Sequence, residues 1–357
     1  MIDKLEINNF RGIRSASIEK LARVNIFFGK NNCGKTSLLE SLFLLSGMSN
    51  PTLSLNINHN REYLRLNISD LDINFYNLDA SNPIVIRGYK NDALARELEI
   101  TKFISQNQRL DVSKLASQIS SNSANLFYGY KLKFIEGSNP DEIMSSDVVI
   151  SPDLEDADKY KSQISVDKRY KEKIVAKMIV STLPFSQRVF YLNEILKNKQ
   201  EEVLIRALSK FDNRIKNISL VGDDIMVDIG LETLLPVNVM GDGVRKLLSL
   251  VVSIYECKNG ILLIDEIDNG LHFSVMRDVF KILLEVAQEN NVQLFFTTHN
   301  IDLIQSISSL LLEDDYVKYQ TEVLAHKLIH DDSGVLHVLT YDYEKLNYSL
   351  DQELEVR

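Results

Sequence analysis

The sequence predicts an α/β fold, a mixed sheet around a phosphate-loop core with a mixed α+β insertion between the two halves of that core. Three stretches carry this expectation. In "VNIFFGKNNCGKTSLLESLF" (24–43) a glycine loop joins an apolar strand-like run to an apolar helix. "GILLIDE" (260–266) and "VQLFFTTHN" (292–300) are short apolar runs ending in polar residues, each followed by a helical pattern. Strand–helix alternation of this kind implies parallel strands with helices on the sheet faces.

The elements follow in order. "KLEINNF" alternates as a first strand, "ASIEKL" reads as a second and Val24–Phe28 as a third. The helix from Ser37 to Ser46 is apolar on nearly every side, which predicts burial. From Asn50 to about Pro83 the alternation in stretches such as "LRLNISDLDINFYNL" predicts short strands joined by turns. "NLFYGYKLKFI" reads as a strand and "EGSNPDEIMSSDVVISPDLEDADKY" as an acidic loop. "KYKSQISVDKRYKEKIVAKMI" and "YLNEILKNKQEEVLIRALSKF" read as charged helical stretches.

After Ile218, "NISLVGDDIMVDIGL" predicts a hairpin turning at Gly222–Asp224. A helix from Val244 to Cys257, one from about Phe273 to Glu289 and one from Ile301 alternate with the two apolar strands. "AHKLIHDDSGVLHVLTYD" predicts a hairpin with Asp-Asp-Ser-Gly at its turn. The expected organisation is an N-terminal lobe (1–90), an inserted α+β region (91–217) and a C-terminal lobe (218–357).

Composition narrows the function. The chain has 357 residues, 45% of them hydrophobic, and a formal net charge of −10, which argues against a uniformly basic surface for polyanions. Its two cysteines, Cys33 and Cys257, are far apart and in no metal spacing, so a reduced cytoplasmic chain is expected. "MIDKLEINNF" lacks the basic and apolar regions of a signal peptide. No uncharged apolar run reaches the ~18 residues of a membrane span, so no membrane partner is expected.

The chemistry concentrates at four places. Gly29 to Thr36 matches G-x(4)-G-K-[ST] in full. Backbone N–H groups of the loop (Gly29, Asn31, Asn32, Gly34) and the helix start at Ser37 would cradle phosphates. Lys35 would reach the β/γ oxygens and Thr36 would ligate Mg²⁺. Asp265, at the end of a buried strand, would hold Mg²⁺ through its water shell, and Glu266 would polarise the attacking water. His299 ends the next strand, where it would sense a γ-phosphate, and Asp268 occupies the position of a dimer-contacting loop. "MGDGVRKLL" opens a helix, and Gly241, Asp242 and Gly243 would either cap it or face a nucleotide held by a second subunit.

Phosphate loop, GDG, acidic strand, dimer loop and histidine, in that order, resemble an ATP-binding-cassette ATPase head. "INNFRGIRSASIEKLARVNIFFGKNNCGKTS" is similar to its DNA-repair branch: the chromosome-maintenance (SMC), RecF-like and overcoming-lysogenization-defect (OLD) ATPases. "NVMGDGVRKLL", "GILLIDEIDNGLH" and "QLFFTTHN" resemble the OLD-like AAA-type ATPases often found in bacterial antiphage loci. The resemblance covers residues 1–50 and 218–310 well and the middle poorly.

This likeness implies an ATPase using ATP and Mg²⁺ that works as a homodimer or higher oligomer. Arg11 would approach the phosphates, while the GDG stretch with Arg245 or Lys246 would act in trans. Cassette signatures carry a serine there; Asp242 cannot donate to a phosphate, so slow hydrolysis is expected. Residues 75–79, "FYNLD", are placed as the glutamine loop by position only. The 58 residues after His299 are too few for a Toprim nuclease domain, so a separate effector, such as a nuclease, is expected. The alternative is a repair or replication clamp acting on nucleic acid directly, with "VDKRYKEKIVAK" (166–177) as its basic run.

Overall fold

The computed structural model describes the chain except for residues 60, 62–67, 106–126, 138–141, 153–159, 181–188, 223, 272 and 353–357. In chain order it contains β1 (Lys4–Phe10), β2 (Ile13–Ile18), β3 (Val24–Phe28), α1 (Lys35–Ser46), α2 (Leu53–His59), β4 (Ile84–Lys90), β5 (Ala93–Ser105), β6 (Phe127–Glu136), β7 (Met144–Pro152), β8 (Tyr160–Ser165) and β9 (Ala176–Ile179). There follow α3 (Val189–Lys197), α4 (Glu201–Phe211), β10 (Asn217–Val221), β11 (Asp224–Asp228), β12 (Leu235–Pro236), α5 (Asp242–Glu256), β13 (Ile261–Ile264), α6 (Phe273–Glu289), β14 (Gln293–Thr298), α7 (Ile301–Leu310), β15 (Val323–His330), β16 (Val335–Tyr341) and α8 (Tyr343–Asp351).

Among the described residues, one mixed sheet of 13 strands organises these elements, in the order β8-β7-β6-β5-β4-β1-β2-β16-β15-β3-β14-β13-β9. The expected mixed α/β architecture around a phosphate loop is therefore present. At its centre β3 runs parallel to both β14 and β15, and β13 runs parallel to β14 and β9. β3, β13 and β14 are buried along their whole length because both faces are covered, and most of their side chains are apolar. Val24, Ile26 and Phe28 enter the core shared with α3–α7, whereas Phe27 enters the core shared with α1. The alternation repeats in β14, where Leu294 and Phe296 face one core and Phe295 the other.

Helix α1 is buried along most of its length, as its sequence predicts, and that burial includes the carboxylate of Glu40. Residues 91–217 supply strands to both edges of the sheet, β5–β8 at one and β9 at the other. Among the described residues, no helix is long and apolar enough to cross a membrane.

Three local expectations need correction. Between Asn50 and Pro83 the described residues form α2 and two 3-10 turns (Ile68–Asn74, Tyr76–Leu78), not strands; 60 and 62–67 lie outside the described residues. Polar side chains there bond locally or to neighbouring elements instead of a ladder: Asn74 Nδ2 donates to the Ser54 carbonyl and to the Tyr130 hydroxyl. Residues 144–152 are strand β7, in the stretch expected to be a loop, because Val148 and Ile150 alternate into the core. The stretch from Tyr160 to Ile179 holds edge strands β8 and β9, joined by an irregular connection with a turn at Asp167–Tyr170, in place of a charged helix. An edge strand keeps one side in water, so its polar residues need no helical face. Helices α3 and α4, the β10–β11 hairpin and the β15–β16 hairpin match their expected positions.

Candidate functional site

The site forms where β3 hands over to α1. Gly29 has φ +149, and a Cβ there would lie 2.6 Å from the Leu328 carbonyl oxygen, so the tight pass under β15 admits only glycine. Gly34 turns the loop into α1 at φ +94. Lys35 Nζ donates to the carbonyls of Gly29 and Lys30, both at 2.9 Å, and thus lies folded along the loop. Cys33 is buried, which pushes its thiol pKa up and leaves it an inert packing residue.

The acidic end of β13 meets this loop from the far side of β14. Thr36 Oγ1 donates to Asp265 Oδ2 at 2.8 Å, and Thr297 Oγ1 donates to Asp265 Oδ1 at 2.5 Å. The same Thr297 hydroxyl accepts the Glu266 N–H at 2.8 Å, which holds Glu266 in a left-handed conformation (φ 49). One residue on, Thr298 Oγ1 donates to Asp268 Oδ1 at 2.7 Å. The two threonines ending β14 therefore fix the turn that carries Asp265, Glu266 and Asp268. Thr297 escaped the sequence reading, although paired threonines at the end of an apolar strand were its visible trace.

These groups open onto a pocket of about 660 Å³. Of the expected residues, Arg11, Asn31, Asn32, Gly34, Lys35, Thr36, Ser37, Asp265 and Glu266 line it together. Arg61, Phe75, Asn77, Leu78 and His330 line it as well; of these, only the 75–79 stretch was singled out from sequence. Arg11 is buried, and its guanidinium is engaged: Nε lies 2.5 Å from Glu40 Oε2, and an NH2 group donates to Asn58 Oδ1 at 3.0 Å. Arg61 grips the same carboxylate from the pocket side at 2.8 and 2.9 Å. A lone glutamate in "SLLESLFLL" was the signal for this network, since a buried carboxylate demands cations.

The remaining expected residues lie outside this pocket. Gly241 caps α5 with no side-chain hydrogen bond, and Asp242 and Arg245 form an ion pair on the first turn. Lys246 Nζ donates to the Asn269 carbonyl and sits 3.5 Å from that of Glu266, tying α5 to the acidic turn. Burial pushes the Lys246 ammonium down to about 8, against the pull of Asp268 and Glu266. His299 is exposed and has no hydrogen bond among the described residues.

The donor set suits a nucleoside triphosphate with a divalent cation. One hydroxyl and one carboxylate on a shared vertex is what Mg²⁺ requires when phosphates and water complete its shell. A cluster of three or more protein ligands is not needed, and none occurs among the described residues.

The chain is similar to known proteins along most of its length. Residues 24–305 match a family model described as "AAA domain, putative AbiEii toxin, Type IV TA system". An "ATP/GTP phosphatase" of Helicobacter pylori is 30% identical over 99% of each chain. The DNA replication and repair protein RecF of Bacteroides fragilis is 23% identical over 59% of this chain and 53% of its own length. Among solved structures, the SMC head domain from Thermotoga maritima aligns over 96% of this chain and 99% of its own, with a TM-score of 0.42 and 11% identity.

Proposed function

The chain belongs to this AAA-domain family, and we propose that it is an ATP-binding, slowly hydrolysing dimerisation switch that controls a separate effector. The observation carrying this reading is the Thr36–Asp265 hydrogen bond, which joins the phosphate loop to the acidic strand at one vertex. In this reading the loop backbone at Gly29, Asn31, Asn32 and Gly34, with Ser37 at the helix start, holds the phosphates. Lys35 leaves the Gly29 and Lys30 carbonyls for the β/γ oxygens, and Thr36 and Asp265 hold Mg²⁺. That cation supplies charge neutralisation at the phosphates. Glu266 accepts the proton of the attacking water, and His299 senses the γ-phosphate.

The same reading assigns Gly241, Asp242, Gly243 and Arg245, with Asp268, to a site across a two-fold interface. Their position outside the phosphate-loop pocket, together with the exposure of His299, supports a site completed by a second copy. Asp242 faces no phosphate favourably, so turnover is slow. Arg11 steadies the pocket through Glu40 and reaches the phosphates only by releasing it.

Mention of a toxin of a type IV TA system in the family description supports work alongside a second component, here proposed as a nuclease-like effector in defence against phage, as in OLD-like systems. A clamp that acts on DNA directly draws support from the RecF similarity. Against it, Arg169 and Lys173 of the basic run are already paired with Asp167 and Glu136. Equilibrium titration with ATP, with and without Mg²⁺, tests the nucleotide site. Lys35→Ala is expected to abolish binding, and equal binding by that variant would sink the assignment.

A further inference from the structure

We propose that the rim formed by Asn77, Leu78 and His330 is a base-binding wall that accepts purine nucleoside triphosphates without strict choice between adenine and guanine. The inference rests on the nucleotide reading above and adds the part of the ligand that reading leaves unassigned.

The strand order fixes where the base must go. At the phosphate-loop edge of the sheet, the acidic end of β13 lies two strands from β3 on one side. On the other side come β15, β16 and β2. With the terminal phosphate at Asp265 and the loop cradling the rest, the nucleoside extends across β15 and β16 toward the β1–β2 turn. Three strand spacings of about 4.8 Å give roughly 14 Å for it, enough for a ribose and a two-ring base.

The side chains at that end are tied together around the pocket. His330 Nε2 donates to the Gly12 carbonyl at 2.7 Å, which leaves Nδ1 without a partner among the described residues. The Tyr76 hydroxyl donates to the Ser333 carbonyl at 3.2 Å, and the Arg11 N–H donates to the Asn74 carbonyl at 2.8 Å. These bonds hold the 74–78 segment between the β1–β2 turn and the β15–β16 turn.

Within that held segment, Asn77 and Leu78 both adopt left-handed backbone, at φ 54 and 59. Leucine rarely adopts it, and Leu78 is also 64% exposed, so burial does not explain the strain. The strain presents an apolar side chain and a carboxamide at the pocket rim instead. An apolar side chain and an imidazole contact the faces of a base, which adenine and guanine share. The Asn77 amide exchanges donor and acceptor by a half-turn, so it satisfies either purine edge.

Titrations of the full chain with Mg–ATP, Mg–GTP and Mg–tripolyphosphate test the wall. Wild type is expected to bind ATP and GTP within about fivefold of each other and tripolyphosphate at least tenfold more weakly. Leu78→Asp and His330→Ala are expected to weaken both nucleotides at least tenfold and leave tripolyphosphate unchanged. Leu78→Gly is expected to weaken nucleotides while raising the melting temperature, because it relieves the backbone. Variants that bind ATP as wild type does would overturn the wall, as would wild-type tripolyphosphate binding equal to that of ATP; in both results the phosphate site stands. Wild type that binds none of the three ligands would overturn the nucleotide reading itself.

Discussion

Thr36 and Asp265, 229 residues apart in the chain, share a 2.8 Å hydrogen bond from Oγ1 to Oδ2. The bond closes the site between the first turn of α1 and the end of β13, and the Thr297 hydroxyl holds the other carboxylate oxygen. Two hydroxyl donors on one carboxylate leave it oriented, so a cation arriving with phosphates meets a preformed vertex.

The Asp265→Asn variant keeps an acceptor for Thr297 and loses the charge. It is expected to lower Mg²⁺-dependent ATP affinity at least tenfold, equivalent to about 1.4 kcal/mol. Titration in Mg²⁺ and in EDTA checks this, and binding in EDTA is expected to change little. An unaltered Mg²⁺ dependence would remove Asp265 from the cation site.

Glu40 holds two guanidiniums, and Arg11 is the more deeply buried of them. Its side chain is 5% exposed against 36% for Arg61, so neutralising Glu40 strands a buried charge. Glu40→Gln is expected to destabilise the fold by about 3–5 kcal/mol. The Arg11→Met/Glu40→Met double variant is expected to recover most of that loss. Denaturant unfolding midpoints at constant m-value measure both, and a Glu40→Gln midpoint equal to wild type would contradict the network.

His326 is wholly enclosed beside Thr340 and Asn25, and burial pushes its imidazole down to about 3 from an ordinary 6.5. Its folded pKa lies below its unfolded one, so the unfolded chain binds the extra proton in between. The neutral ring contributes full stability above about 6.5, and that contribution drains as pH falls toward 3. The slope is about 1.4 kcal/mol per pH unit for one proton. His326→Gln is expected to flatten the acid limb of a melting-temperature profile by that single-proton slope. A parallel acid limb in the variant would assign the acid sensitivity elsewhere.

Much of the core was legible because its chemistry is local. "VNIFF" and "ILLI" are short, apolar but for Asn25, and followed by helices, and they become the parallel centre of the sheet. The glycine loop was legible for the same reason, as its function and its spacing are one constraint. The wall at Asn77, Leu78 and His330 was not, since turns from three distant segments meet there without a common spacing. "YKSQIS" misled because a charged edge strand and a charged helix face expose similar residues, and only the neighbouring β7 ladder decides between them. Arg11 shows a subtler limit. Its place beside the phosphate loop follows from sequence, but its partner Glu40 is set by the packing of α1.

In the proposed function the nucleotide acts by joining two copies of the chain. Sedimentation of the Glu266→Gln chain at micromolar concentration, with and without Mg–ATP, tests it most directly. This substitution removes the proposed proton acceptor, and turnover is expected to fall about a hundredfold or more while ATP still binds. A monomer is expected without nucleotide and a dimer or larger species with it. The contradicting result is a Glu266→Gln chain saturated with ATP that still sediments as a monomer.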